Sequence, residues 1–300
     1  MTKFFYLLTV MILTFSPARA DFHYQNDFAA EDFRARRDAV YDAVGDNIAI
    51  IQGGAEVRGF INFRQSNTFY YLSGLERPSS YMLLDGRARK TTIYLPHRDT
   101  GRERGEGHTL SYEDADLIRS ITGAETVRPV EMMATDFAFY LLDAPFPALY
   151  TPHSPDEKFR QSRDEMLAGH GRRVADPFDG RPSKAGHFIH LLRTRYPQFE
   201  IRDLSPTLDQ MRTIKDEKEI SLIRKASQLA GLGIMEAIRS TKPGVMEYQL
   251  EAAASFVFKT NGARGLSYNA IVGGGQNAWM GHYSANSDPV KDGDLILMDL

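Results

Sequence analysis

Ile214-Lys215-Asp216-Glu217-Lys218-Glu219-Ile220 is the stretch that organises the chain. Asp216 followed three residues later by Glu219 is a capping box. The Asp side chain can accept the third helical N–H, and the Glu can reach back to the N-cap N–H. Downstream, Ile220, Ile223, Ala226, Ala230, Ile234 and Ala237 recur at helical spacing until Lys242-Pro243-Gly244 stops the run. A second helix is predicted over about 246–260, ending at Asn261-Gly262. A strand from Tyr268 to Val272, the glycines at 273–275, and a last strand from Leu295 to Met298 complete this part, the last opened by an Asp292-Gly293-Asp294 turn.

Upstream the pattern is different. Residues 30–44 predict a charged amphipathic helix and residues 113–122 another. Strands are expected at 47–52, 69–72, 81–84, 91–95 and 148–151, with Pro78 in a turn between the second and third. The tracts 97–109 and 153–187, rich in Arg, Asp, Gly and His, read as surface loops. Alternating strands and helices of this kind predict an α/β domain with a mixed sheet. The expected division is 1–20, a leader; 21–204, this first domain; and 205–300, the helical start of a second.

Lys3, the apolar run Phe4 to Phe15 and the small-x-small Ala18-Arg19-Ala20 form the pattern of a secretory signal peptide, with cleavage expected between Ala20 and Asp21. The run is too short for a membrane anchor, which needs ~20 apolar residues. The expectation is therefore an exported protein, periplasmic or secreted, free of the membrane after cleavage. The chain contains no cysteine, which excludes disulfides, thiolate metal ligands and a Cys nucleophile. The net charge of −3 argues against nucleic acid or an anionic membrane as the main partner. At the other end the apolar strand 295–298 lies two residues from Leu300, and a core strand normally has partners on both sides. The domain is expected to continue past this point; a terminal edge strand is the alternative.

Two residues stand where chemistry could be. His282, in Gly281-His282-Tyr283-Ser284-Ala285-Asn286, reads by itself as a packed or surface histidine or as a catalytic one. Asp299 follows an apolar strand, and burying it as an unpaired charge would be costly. A metal, a basic partner or a backbone turn would compensate, and spacing leaves a structural and a ligand role equally open. The triple glycine lacks the spacing of a phosphate loop and reads as a tight turn or bulge. His187 and His190 could share a helix face but read as surface residues, and His97, His108, His153 and His170 as solvated loop residues. Phe69-Tyr70-Tyr71 is expected to pack a sheet.

Several of these stretches together resemble one family. Ile214 to Ile220 with Arg224-Lys225-Ala226 is similar to the opening helix of the pita-bread catalytic domain. Tyr268-Asn269-Ala270-Ile271-Val272-Gly273-Gly274-Gly275-Gln276-Asn277, Gly281 to Asn286 and Asp292 to Asp299 resemble its next landmarks. Phe63-Arg64-Gln65-Ser66-Asn67-Thr68-Phe69-Tyr70-Tyr71-Leu72-Ser73-Gly74-Leu75-Glu76-Arg77-Pro78 resembles the signature of the aminopeptidase P N-terminal domain. The family is that of the Xaa-Pro aminopeptidases and the related prolidases, the creatinase-like pita-bread metallopeptidases.

The resemblance implies an α/β (α+β) fold in which a mixed-sheet creatinase/aminopeptidase P N-terminal domain precedes an incomplete pita-bread domain. It implies two divalent metals, commonly manganese, held by two Asp, one His and two Glu, a hard donor set that suits a protein without cysteine. Asp299 matches the first metal Asp, and His282 matches a catalytic, substrate-binding histidine beside the scissile peptide. The remaining ligands would lie past Leu300, so the 300-residue chain alone is expected to be inactive. The implied reaction is attack of a metal-activated water on the bond between an N-terminal residue and proline in a peptide. A prolidase-like dipeptidase and a non-catalytic pita-bread binding protein are the alternatives, and homo-oligomers are common in the family.

Overall fold

The computed structural model describes residues 27–57, 59, 62–143, 148–157 and 161–300; the predicted leader, 1–20, lies outside them. The elements of the first part are α1 (Ala30–Val44), β1 (Ile48–Gln52), α2 (Asn67–Ser73), β2 (Tyr81–Asp85), β3 (Lys90–Leu95), α3 (Thr100–Glu106), α4 (Ala115–Thr122), β4 (Thr126–Pro129), α5 (Met133–Asp143), β5 (Ala148–Thr151), α6 (Arg163–Ala175), α7 (Lys184–Arg195), β6 (Glu200–Asp203) and α8 (Ser205–Thr213). Then follow α9 (Glu217–Ser240), α10 (Glu247–Thr260), β7 (Ile271–Gly274) and β8 (Ile296–Asp299).

Among the described residues β1–β6 form one sheet in the order β4-β3-β2-β1-β5-β6. β1–β2 and β2–β3 are antiparallel, and β3–β4, β1–β5 and β5–β6 are parallel, so the sheet is mixed as expected. β1 explains its own position. Ile48-Ala49-Ile50-Ile51 is apolar at every residue because helices cover both faces of a central strand. Ile48 and Ile50 pack with Leu83, Tyr94, Phe137 and Leu192 on one side. Ala49 and Ile51 pack with Val40, Phe69, Leu72 and Leu208 on the other. Leu208 brings α8 into this core, so the expected division at 204/205 falls before a helix that packs with the first layer.

Three expectations are corrected. Residues 69–72 are helix, not strand: the Ser66 hydroxyl accepts the Phe69 N–H, and Gly74 closes α2 in the left-handed region (φ 69°). Phe69 and Leu72, three apart, then share one buried face, so the aromatic run packs the core from a helix rather than from the sheet. The tracts 97–109 and 153–187 are not loops throughout. Asp99 caps α3, Ser162 and Glu165 form a capping box on α6, and Ser183 caps α7. Caps and charge pairs hold α3 and α6 with little buried apolar surface, while α7 buries Phe188, Ile189 and Leu192. β7 begins at Ile271 rather than Tyr268.

The second part begins as read. The Asp216 carboxylate accepts the Glu219 N–H at 2.8 Å, and Glu219 accepts the Asp216 N–H at 2.9 Å. α9 and α10 pack closely, with Gly233 of α9 leaving room for the Phe258 ring of α10. The same capping box is the joint to the first domain. Arg36, almost fully buried on α1, pairs with Asp216 at 3.0 Å and Glu219 at 3.5 Å. It also donates to the Tyr71 carbonyl at 3.1 Å and stacks 4.3 Å from the Tyr71 ring centroid. Lys218–Asp32 and Arg264–Glu76 are further pairs across the joint. Among the described residues no helix is long and apolar enough to cross a membrane.

Arg36→Ala is expected to loosen this joint by roughly 2–3 kcal/mol, because a charged donor with several acceptors is lost from a desolvated site. Arg36→Lys, which lacks the planar group that meets the carboxylates through one nitrogen and the Tyr71 carbonyl through the other, should recover only part of it. Unfolding midpoints test this, and equal midpoints for all three chains would contradict it.

A pH effect follows from His97, whose Nδ1 lies 2.6 Å from Glu113. The hydrogen bond to Glu113 raises the imidazole above its usual 6.5. The bond to His97 takes the Glu113 carboxyl down to about 2 from 4.5. The raised His stabilises below 6.5 and that contribution is lost as pH rises through its folded value; the lowered Glu stabilises above 4.5 and is lost as pH falls toward 2. The melting difference between the parent chain and His97→Ala should therefore peak between those two values and shrink on either side. A difference that is flat with pH would refute the pairing.

Candidate functional site

β7 and β8 form an antiparallel pair in which Ile271 faces Asp299 and Gly274 faces Ile296. Val272 is fully buried and, with Ala237, Val245, Leu250 and Val290, makes the core of the second part, against which Ile296 and Met298 pack. The pair thus presents one face to α9 and α10 and carries Asp299 at its rim.

Asp299 is exposed, so the burial cost anticipated from its apolar neighbours does not arise. Within the described structure the Tyr268 hydroxyl donates to Oδ1. That bond, more than burial, raises the Tyr268 phenol to about 12. Among the described residues Oδ2 has no donor, which leaves one hard oxygen facing solvent. Tyr268 was not marked as a site residue by sequence, because a tyrosine before a strand carries no signal of a bond made 31 residues away.

The three glycines are a strand end and a turn together. β7 runs through Gly273-Gly274, and Gly275 (φ 55°) starts a 3-10 helix, Gly275–Trp279. A Cβ on Gly273 would stand 2.7 Å from the Asn277 carbonyl oxygen, so the returning backbone demands glycine there.

That turn delivers His282. The histidine is exposed, in a segment that folds back along β7. Asn286, buried and left-handed (φ 46°), accepts the Val272 N–H at 3.0 Å and donates to the Ala270 carbonyl at 2.9 Å. It therefore docks beside Ile271, the residue in register with Asp299. His282 and Asp299 share the same two-stranded unit, but no bond joins them among the described residues. Glu165 on α6 is held below the usual carboxylate range by the Ser162 N–H and hydroxyl.

The residue that sequence reading missed is Glu247, the first residue of α10. It is fully buried. Oε1 accepts the Gly274 N–H at 2.7 Å and the Asn277 amide at 3.1 Å. Oε2 accepts the Tyr283 hydroxyl at 2.9 Å and the Asp288 N–H at 3.0 Å. Burial pushes its carboxyl up, but these donors outweigh burial and hold it below its usual range. An acid at the first turn of a helix is ordinary, and only the fold shows what surrounds it.

The other histidines do not converge on this site. His187 and His190 share α7 and are exposed, as expected of surface residues. His97 and His108 are exposed beside carboxylates. His153 and His170 are half-buried, each with one ring nitrogen out of solvent and without a hydrogen bond, which corrects the expectation that they are solvated. His153 follows β5 and is bonded through its N–H to Ser205 at the start of α8, and His170 lies on helix α6 rather than in a loop.

Residues 33–145 match the family model "Aminopeptidase P, N-terminal domain", and residues 221–300 match "Metallopeptidase family M24". The chain belongs to the Xaa-Pro aminopeptidase (aminopeptidase P)/prolidase family of M24 metallopeptidases. It is 30% identical to a Xaa-Pro aminopeptidase of Haemophilus influenzae over 92% of this chain and 58% of that one. It is 24% identical to a Xaa-Pro aminopeptidase of Escherichia coli over 91% of this chain and 59% of that one. A solved E. coli aminopeptidase P with the inhibitor Pro-Leu has the same fold, with a TM-score of 0.70 and 22% identity over 91% of this chain and 59% of that one. The chain thus spans a little under three-fifths of the length of these relatives.

Membership implies divalent metal ions. The residues present do not make a metal site: among the described residues no three His, Asp or Glu side chains converge, and Asp299 stands as a single carboxylate.

Gly273→Ala should destabilise the second part by about 1–3 kcal/mol, the usual range for forcing backbone apart in a packed site. Gly281→Ala, with open space around it, should be near neutral. Thermal unfolding of both variants measures the contrast, and equal effects would contradict the Asn277 contact.

Proposed function

We propose that this chain contributes the N-terminal domain and the opening of the catalytic domain to an exported Xaa-Pro aminopeptidase, which removes an N-terminal residue preceding proline from a peptide. The observation that carries the reading is the exposed position of His282 on the loop that Asn286 docks against β7, within the part of the chain that matches the metallopeptidase model. A substrate entering between the domains would meet this imidazole, which can donate to or accept from the scissile peptide. The aminopeptidase P-type first domain would wall that cleft. The order of the two family models along the chain supports the same reading.

In this proposal Asp299 is one metal ligand, oriented by Tyr268, and manganese is the preferred ion because the donor is hard and the chain has no thiolate. A metal pair requires donors additional to Asp299. The 300-residue chain by itself is therefore proposed to be inactive. Export rests on the leader pattern at residues 1–20.

The test is expression of the complete reading frame and an assay on Gly-Pro-containing peptides with Mn²⁺ and with a chelator. Metal-dependent release of the first residue is expected, abolished by Asp299→Asn and lowered in turnover by His282→Ala with metal content unchanged. Absence of metal-dependent release, or full activity of Asp299→Asn, would overturn the proposal. For the 300-residue chain, elemental analysis should find no stoichiometric metal pair; two bound Mn²⁺ would contradict the single-ligand reading of Asp299.

A further inference from the structure

We infer that Glu247 is the positioning residue for His282: its buried carboxylate ties down the loop from Gly274 to Asp288 and so sets where the imidazole stands. The inference rests on the reading of His282 as the substrate-facing group, but its core is a statement about the loop.

The segment leaves β7 at Gly274, passes through the 3-10 helix and the turn at Met280–Tyr283, and returns at Asp288. Glu247 holds it at both ends and twice between, through Gly274, Asn277, Tyr283 and Asp288. Its backbone joins in, since the Glu247 N–H donates to the Asp288 carbonyl at 3.1 Å. Asn277 crosses to the Asp288 carboxylate at 3.0 Å, and the Tyr283 N–H donates to the Met280 carbonyl at 3.1 Å. His282 therefore lies in a turn whose next residue, Tyr283, is anchored through its hydroxyl. One helical turn after Glu247, Glu251 accepts the Asn286 amide at 3.0 Å, so the same face of α10 secures the segment again as it passes β7.

Charge is essential to this arrangement. A carboxylate offers acceptors on both oxygens, and four donors converge on them. Glutamine has the same shape but a single acceptor oxygen. Its NH₂ would face the donors on the other side. The Tyr283 hydroxyl could rotate to accept, but the Asp288 N–H would be left against a donor in a site that water does not reach, a costly arrangement. The negative charge at the first residue of α10 is also stabilised by the helix N-terminus, which helps keep the group ionised while buried. His282 makes no bond to Glu247. The acid acts on it only through the loop, unlike a group that touches substrate.

The experiment uses the whole 300-residue chain, with amide exchange and histidine ring signals read by NMR. In Glu247→Gln, exchange at Gly274 and Asp288 should rise at least tenfold, and the His282 ring signals should move toward those of the freely exposed His190. Amides of the six-stranded sheet and of α9 should keep their protection. Tyr283→Phe removes one donor and leaves the helix start intact; it should shift the His282 signals in the same direction by a smaller amount, with Gly274 unchanged. Glu217→Gln, which removes an acid from the first turn of α9, should leave His282 unmoved. Unaltered His282 signals in both loop variants would overturn the inference. So would loss of protection in α9 equal to that in the loop, since the acid would then be a fold determinant and not a positioning residue.

In the complete reading frame, Glu247→Gln should lower kcat for Gly-Pro peptides at least tenfold with KM within about a factor of two. If the parent protein cleaves no such peptide, the peptidase reading fails while the loop measurements still decide the role of Glu247. If it does and Glu247→Gln keeps full kcat, the positioning role fails and the peptidase reading stands.

Discussion

The guanidinium of Arg36 is the contact on which the relation between the two halves depends. It is desolvated on α1, stacked on Tyr71, and paired with both acids of the capping box that begins α9. A helix start ordinarily needs only its own cap. Here the cap doubles as an ion-pair partner, so the first turn of the 24-residue α9 cannot change direction without breaking the joint. Everything later in the chain, including α10, β7 and β8, is built on that helix. The weaker exposed pairs Lys218–Asp32 and Arg264–Glu76 add orientation more than energy.

From that base the second part places its two functional candidates by different means. Asp299 is carried by strand register: it ends β8 opposite Ile271, and one phenol orients it. His282 is carried by a long return loop that follows the short 3-10 helix Gly275–Trp279 and relies on polar contacts to α10 and β7. Buried polar groups are costly unless satisfied, so a loop held by Glu247 and Asn286 has a narrow range of geometries.

The parts legible in sequence are those in which a residue's neighbours along the chain decide its state. Asp216 and Glu219 are three apart, and their mutual bonds are local. The all-apolar Ile48 to Ile51 declares a strand covered on both faces. Residues 69–72 misled because aromatics favour strands; the deciding signals, Ser66 as cap and Gly74 as a left-handed stop, lie just outside the run. The helices within 97–109 and 153–187 were hidden because caps and charge pairs mark α3 and α6, and because the apolar face of α7, Phe188, Ile189 and Leu192, lies just past the tract that read as a loop.

By itself the sequence determined the class of the first domain's sheet, the start of α9, the family signatures and the identity of His282 and Asp299 as the groups to consider. Tertiary structure decided what surrounds them. Glu247 lies 27 residues before Gly274 and 41 before Asp288, separations at which no periodic pattern survives. Tyr268 reaches Asp299, and Asn286 reaches the backbone of β7, only because the chain has folded back on itself. Local spacing can announce a helix or a strand, since those bonds run between near neighbours. A buried carboxylate with four donors exists only once packing has excluded water from the place where they meet.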